Sequence, residues 1–187
     1  LISVGDSFPA ELPAYFIEKY TNKGDVVLDP FCGSGTTPLQ AKLCGRIPYA
    51  SDANPLSMRL TRAKLEPADL TEVTLRLQMS PLKRPVDVGL FNRSFSAFYD
   101  VATYRELVNL RDSIANNYDK VGAFIEAVSL SLLHGHSAGF FSAYTHPQVS
   151  LLPEAQKELN LKRSQSPDYR AVVPRILRKT ASIFRDG

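Results

Sequence analysis

Tryptophan is absent from these 187 residues, and cysteine occurs only at Cys32 and Cys44. The two thiols form no C-x-x-C pair and have no companion cluster at metal-ligand spacing. That excludes a disulfide framework and a structural zinc site, and a reduced, cytoplasmic setting is expected. No apolar run approaches the ~20 residues that span a bilayer, and the first residues lack the basic-then-apolar order of a signal peptide, so a soluble protein without membrane association is expected. Net charge is scarce as well. The 22 basic and 19 acidic residues leave +3, too little to select a nucleic-acid partner by itself.

What charge there is lies unevenly. From Lys157 onward, Lys157, Lys162, Arg163, Arg170, Arg175, Arg178, Lys179 and Arg185 stand against only Glu158, Asp168 and Asp186. Such a run is either a solvated helix face or a surface that meets phosphates, and both readings stay open. With 44% apolar and 22% charged residues, the chain has the composition and length of one α/β domain. It opens at Leu1 and ends on Arg185-Asp186-Gly187 amid what reads as continuing sequence, so a fragment of a longer protein is expected.

Along the first third, the pattern alternates between helix and strand. Leu12, Phe16 and Tyr20 recur at intervals of four, predicting a short amphipathic helix whose face they share. Val26-Val27-Leu28 is a brief apolar run of the kind a buried parallel strand shows, ended by Asp29. A glycine-containing loop follows, then helical character from Thr36 to Leu43, stopped by Gly45. Pro48 to Ser51 reads as a second strand, and Asn54-Pro55 opens a helix carrying Leu56, Leu60 and Ala63. After Glu66 no further buried strand is predicted. Helices are expected near 101–116, 121–133 and 171–184, the last aligning Val172, Ile176, Lys179 and Ile183, with a long loop over 134–153.

The chemistry is concentrated where the first strand hands over to a helix, the crevice at which open α/β sheets bind ligands. Asp29-Pro30-Phe31-Cys32-Gly33-Ser34-Gly35-Thr36-Thr37 occupies that junction. Gly33 and Gly35 permit backbone angles closed to other residues and let a ligand approach the main chain, while the helix behind them offers unpaired N–H groups. No third glycine completes G-x-G-x-x-G, and no Gly-Lys-Ser/Thr follows, which disfavours phosphate cradling. Asp52, after the second strand, is placed to accept hydrogen bonds from both hydroxyls of a ribose. Loop and acid together point to a nucleoside-containing ligand.

Those motifs, with Gly45-Arg46 and Ser51-Asp52-Ala53-Asn54-Pro55, resemble the cofactor-binding motifs of adenine-N6 and cytosine-N4 DNA methyltransferases. The resemblance is strongest over residues 7–66. It implies a Rossmann-like α/β fold with S-adenosylmethionine as cofactor, Phe31, Gly33 and Gly35 wrapping it, Asp52 holding its ribose and Asp29 near its amino-acid end. The implied binding set is Asp29, Pro30, Phe31, Cys32, Gly33, Ser34, Gly35, Thr36, Thr37, Asp52, Ala53 and Asn54. Ser7-Phe8-Pro9-Ala10-Glu11-Leu12 is similar to the segment leading into this loop in the family, which adds Phe8 and Pro9 to the pocket. Ala102 to Leu107 with Leu110-Arg111, Leu133-His134-Gly135 and Ser142 to Pro147 look like helical and loop insertions of some members. The expected organisation is thus a cofactor-binding βαβ portion over 1–68 and a helical insertion over 69–187 that contacts DNA.

In this family a D/N/S-P-P-Y/F/W motif holds the amino group of the flipped base. No Pro-Pro pair occurs here, and Ser166-Pro167-Asp168-Tyr169 reads as a loop before the last helix. The catalytic motif and the remaining strands are therefore expected elsewhere, beyond Gly187 or on a second methyltransferase polypeptide, with a restriction endonuclease as a further expected partner. Cys32 fills a variable slot of the loop and reads as a small packing residue rather than a nucleophile. His134, His136 and His146 lack acid or cysteine companions at ligand spacing, leaving DNA-contacting or loop-structuring roles. The expected reaction is methyl transfer to an exocyclic amino group of double-stranded DNA. The alternatives are a guanine-N2 RNA methyltransferase and a non-catalytic module that binds cofactor or DNA.

Overall fold

A computed structural model describes residues 8–145 and 152–185. Its elements run α1 (Glu11–Tyr20), β1 (Val26–Asp29), α2 (Thr36–Leu43), β2 (Ile47–Ala50), α3 (Pro55–Leu65), α4 (Leu70–Met79), a π-helical turn (Phe91–Phe95), α5 (Val101–Asn116), α6 (Lys120–Leu130), α7 (Pro153–Lys162) and α8 (Val172–Arg185). They group into two compact units, one of residues up to 68 together with 119–127, the other of 69–118 with the residues from 128 onward. Ser7, His146 and Pro147, all singled out in the sequence, lie outside the described residues.

In the first unit β1 and β2 pair in parallel, Val26 opposite Ile47 and Asp29 opposite Ala50, as the only sheet among the described residues. Helix α2 forms the crossover between them and packs on both strands, with α1 and α3 against its other sides. Period-2 alternation then splits the sheet. Val27, Asp29, Pro48 and Ala50 are half-buried, while Val26, Leu28, Ile47 and Tyr49 share the other face and are 50–66% exposed. Parallel strands are ordinarily covered on both faces; here, among the described residues, only one is.

Helix α1 forms where its periodicity predicts, but with a different buried face. Leu12, Phe16 and Tyr20 point outward, and Pro13 and Ile17 make the contact. The reason is local: Arg46 reaches from the α2–β2 turn to the last turn of α1. Its Nε donates to Thr21 Oγ1 (2.9 Å) and its two terminal nitrogens to Thr21 O and Cys44 O (2.6 Å each), fixing the rotation of the helix.

The second unit is helical. Asp69 and Glu72 form a reciprocal capping box at the start of α4, Asp69 Oδ1 accepting from Glu72 N (2.8 Å) and Glu72 Oε2 from Asp69 N (3.0 Å). Helices α4 and α7 were not predicted. For α4 the box and the buried Val73 and Leu77 were a legible signal; α7 buries only Gln156 and carries no comparable stripe. Helix α8 packs on α4 and α5 through Val172, Ile176 and Thr180. The position expected for Lys179 in that stripe is thus taken by Thr180. Residues 164–171 lack helix or strand as expected of the Ser166-Pro167-Asp168-Tyr169 segment, and Tyr169 there donates from its hydroxyl to the buried Glu106 carboxylate (2.6 Å), which also accepts from Val172 N (2.8 Å). His134 structures its loop: its Nε2 lies 3.2 Å from the Tyr99 hydroxyl and its ring stands edge-on to Phe98 at 5.3 Å. Among the described residues no helix is long and apolar enough to cross a membrane.

Candidate functional site

Because β1 and β2 are parallel, the loops that leave them, 30–35 and 51–54, emerge at the same end of the sheet. Main-chain bonds stitch the two together. Ser51 N donates to Asp29 O (3.0 Å) and Cys32 N to Ser51 O (3.0 Å), and Ser51 Oγ donates to Pro30 O (3.1 Å). Asp29 turns its carboxylate back onto the N–H of Phe31 (3.1 Å). The ring of Phe31 is 85% exposed at the loop tip, and Phe8 and Pro9 are exposed as well.

The two glycines of the loop do different work. A β-carbon on Gly33 (φ +51°) would meet nothing within 4 Å, whereas one on Gly35 (φ +84°) would strike Thr61 Oγ1 at 2.6 Å and Thr61 Cα at 3.1 Å. Gly35 is therefore the point at which the loop packs on α3, and only Gly33 leaves its main chain open to an approaching molecule. That refines the expectation that both glycines admit a ligand. Gly35 also caps α2 without any side-chain acceptor, so the N–H groups at the start of the helix, including those of Thr36 and Thr37, lack a side-chain cap.

Asp52 joins the loops. Its Oδ2 accepts from Gly33 N and its Oδ1 from Asn54 N, each at 2.8 Å. These two bonds, Asn54 first and Gly33 second, hold the carboxyl below the usual carboxylate range. An ionised carboxylate offers about four lone-pair sites; the Ser57 hydroxyl is a third donor to it, which leaves room for a further one. Asn54 Oδ1 accepts from Leu56 N (3.0 Å) and caps α3, while Ala53 is exposed between them.

Cys32 and Ser34 face inward. Cys32 Sγ lies 3.5 Å from Thr61 Oγ1 and 3.9 Å from Met58 Sδ, and burial pushes its thiol pKa up. A thiol so placed is a packing group, with little thiolate for nucleophilic chemistry. Ser34 O accepts from the Lys64 ammonium, whose own pKa is lowered by burial. Sequence reasoning missed Ser57, Thr61 and Lys64, which stand behind the loop at i, i+4 and i+7 of α3. The available signal was small polar residues, Ser57 and Thr61, on a helix face that is otherwise buried. Among the described residues no cluster of histidine, cysteine and carboxylates could hold a metal ion.

Comparison with known proteins bears on this segment. Residues 6–59 match a DNA methylase family of the N6/N4 type. The type II methyltransferase M.MjaII of Methanocaldococcus jannaschii is 33% identical over 66 residues, 35% of this chain and 12% of that protein. M2.DpnII of Streptococcus pneumoniae is 40% identical over 62 residues, 31% of this chain and 23% of its own. M.BsoBI of Geobacillus stearothermophilus is 45% identical over 53 residues, 28% of this chain and 10% of its own. The matched stretch thus spans less than a quarter of each relative's length. No solved structure matches the chain. The segment holding both loops, residues 6–59, is thus similar to the N6/N4 DNA methylase family, over less than a third of this chain.

Proposed function

We propose that this chain is the S-adenosylmethionine-binding portion of a site-specific DNA methyltransferase that modifies an exocyclic amino group, N6 of adenine or N4 of cytosine. The observation that carries the reading is the bonding of Asp52 to Gly33. One carboxylate with an unused lone pair and one glycine with open space above it sit together at the carboxyl end of a parallel strand pair. A ribose hydroxyl suits the free lone pair, and a flat or extended group suits the open main chain of Gly33. Phe31 supplies an exposed ring beside it, and the α2 N-terminus, uncapped by any side chain, suits the carboxylate of an amino-acid moiety. The binding set proposed is Asp29 through Thr37, Asp52 to Asn54, and Phe8 with Pro9, with Cys32, Ser34 and Gly35 acting from behind as packing.

When bound, the cofactor supplies an electrophilic methyl on a sulfonium sulfur. The residues of this chain bind and orient it; orientation alone accounts for much of a direct transfer. The fold proposed is Rossmann-like, with 69–187 as a helical insertion that engages DNA. The bare face of Val26, Leu28, Ile47 and Tyr49 supports further strands and a second helical layer, carried with the Pro-Pro catalytic motif on polypeptide outside these residues. The test is titration calorimetry with S-adenosylmethionine on this chain and on Asp52→Ala. Binding that the substitution weakens at least tenfold supports the site. Equal binding by both proteins overturns the role of Asp52, and heat from neither, here or in a longer gene product, overturns the methyltransferase reading.

A further inference from the structure

The second unit carries a basic surface that the cofactor site does not use. Helix α8 contains Arg175, Arg178, Lys179 and Arg185 and no acidic residue. At 100° per residue these four, with Ser182, fall on one side of the helix, roughly a third of a turn from the buried stripe of Val172, Ile176 and Thr180.

The stripe is continuous with a loop that two arginines hold in place. Arg170, just before α8, donates from one terminal nitrogen to Ser137 O and Phe140 O (3.2 Å each) and to Ser142 O, while its Nε pairs with Asp168 (2.9 Å). Arg175 donates from Nε to Ala138 O (3.1 Å) and from a terminal nitrogen to Ala171 O (3.0 Å). Burial first, then the like charge of Arg170 and more weakly that of Arg178, hold the Arg175 guanidinium below its ordinary pKa against the opposing pull of Asp168, so the cations are close enough to repel one another. Arg178 is exposed and Lys179 half-exposed, and neither makes a hydrogen bond or ion pair with the described residues. Like charges that outnumber their acidic neighbour, Asp168, cost stability in the free protein and are relieved by a polyanion.

We propose that this side of α8 is where the sugar–phosphate backbone of a DNA duplex rests, with Arg178 and Lys179 contacting phosphates directly and Arg170 and Arg175 positioning the 137–142 loop beside them. The stripe from Arg175 to Arg185 is about 15 Å long at 1.5 Å per residue. That is the axial length of about four phosphates of one strand at 3.4 Å each. The choice of DNA among polyanions rests on the function proposed above.

The experiment is fluorescence anisotropy of a fluorescein-labelled mixed-sequence DNA duplex with the full chain, over a series of potassium chloride concentrations. Wild type is compared with Arg178→Glu/Lys179→Glu, with the milder Arg178→Gln/Lys179→Gln, and with Lys19→Glu, which alters an exposed cation on α1. The charge-reversed protein should bind at least tenfold more weakly at low salt. The neutralised one should lose about 0.9 of log–log salt slope per phosphate contact removed, close to 2 in all, and Lys19→Glu should match wild type. Thermal melting by circular dichroism identifies any variant that fails to fold, and the glutamine pair then carries the test. Unchanged affinity and slope in a folded variant overturn the proposal, as does wild type that binds an RNA duplex of the same sequence but not the DNA. Calorimetry with S-adenosylmethionine on the same proteins separates the two readings. Cofactor binding with salt-independent or absent DNA binding refutes this surface alone, and DNA binding through Arg178 and Lys179 without cofactor binding refutes the cofactor site alone.

Discussion

Three of the glycines with positive φ, Gly24, Gly33 and Gly35, allow the loop geometry to be tested quantitatively. An L-residue in the left-handed region costs about 1–2 kcal/mol, and that strain alone should follow Gly24→Ala, where φ is +90° and nothing lies within 4 Å of the new methyl. Gly35→Ala carries the same strain at φ +84° and adds a collision with Thr61, whose Cα and Cβ stand at 3.1 Å and whose hydroxyl stands at 2.6 Å. Thr61 is 1% exposed, so neither its rotamer nor the α3 backbone can yield freely, and overpacking of that kind adds about 1–3 kcal/mol. Urea denaturation followed by circular dichroism should therefore place the Gly35→Ala midpoint about 1 M below that of Gly24→Ala, for a slope near 2 kcal/mol/M. Gly33→Ala, at φ +51° with open space above it, should be no less stable than Gly24→Ala yet lose S-adenosylmethionine affinity at least tenfold. Equal midpoints for Gly24→Ala and Gly35→Ala would refute the packing role of Gly35. Undiminished affinity in Gly33→Ala would refute the assignment of the space over Gly33 to the cofactor.

Two more outcomes follow from named bonds. The Asp52 carboxyl is held below the usual range by the N–H groups of Asn54 and Gly33, so its ionised form contributes stability above about pH 4 that is lost as pH falls through the lowered native value; wild type should therefore lose melting temperature faster than Asp52→Asn on acidification below about pH 4, and parallel curves would contradict the bonding. Arg46→Ala removes the guanidinium bonds to Thr21 Oγ1, Thr21 O and Cys44 O and should cost about 2 kcal/mol, with Arg46→Lys restoring only part because one ammonium cannot reproduce the planar fork; a urea midpoint unchanged in Arg46→Ala would show the latch to be idle.

The sequence by itself determined the order strand, loop, helix, strand, acid. Val26 to Leu28, the glycines of the loop, Asp52 and the Asn54-Pro55 helix start are local signals, in which each residue's own conformational or hydrogen-bonding preference acts within a few positions of itself. The helices at 101–116 and 171–184 were legible for the same reason, since an apolar stripe at helical spacing needs no knowledge of its partner. Tertiary structure decided the rest. That Pro13 and Ile17, rather than Leu12, Phe16 and Tyr20, form the buried face of α1 depends on where Arg46 grips the helix end. That Gly35 is a packing point and Gly33 an open one depends on Thr61, distant in sequence and brought close by the return of α3. Whether the basic residues of α8 lie with acids or with one another likewise depends on which loop its buried stripe sets beside them. Spacing along the chain specifies which residues share a side of an element, and only packing between elements specifies what that side meets.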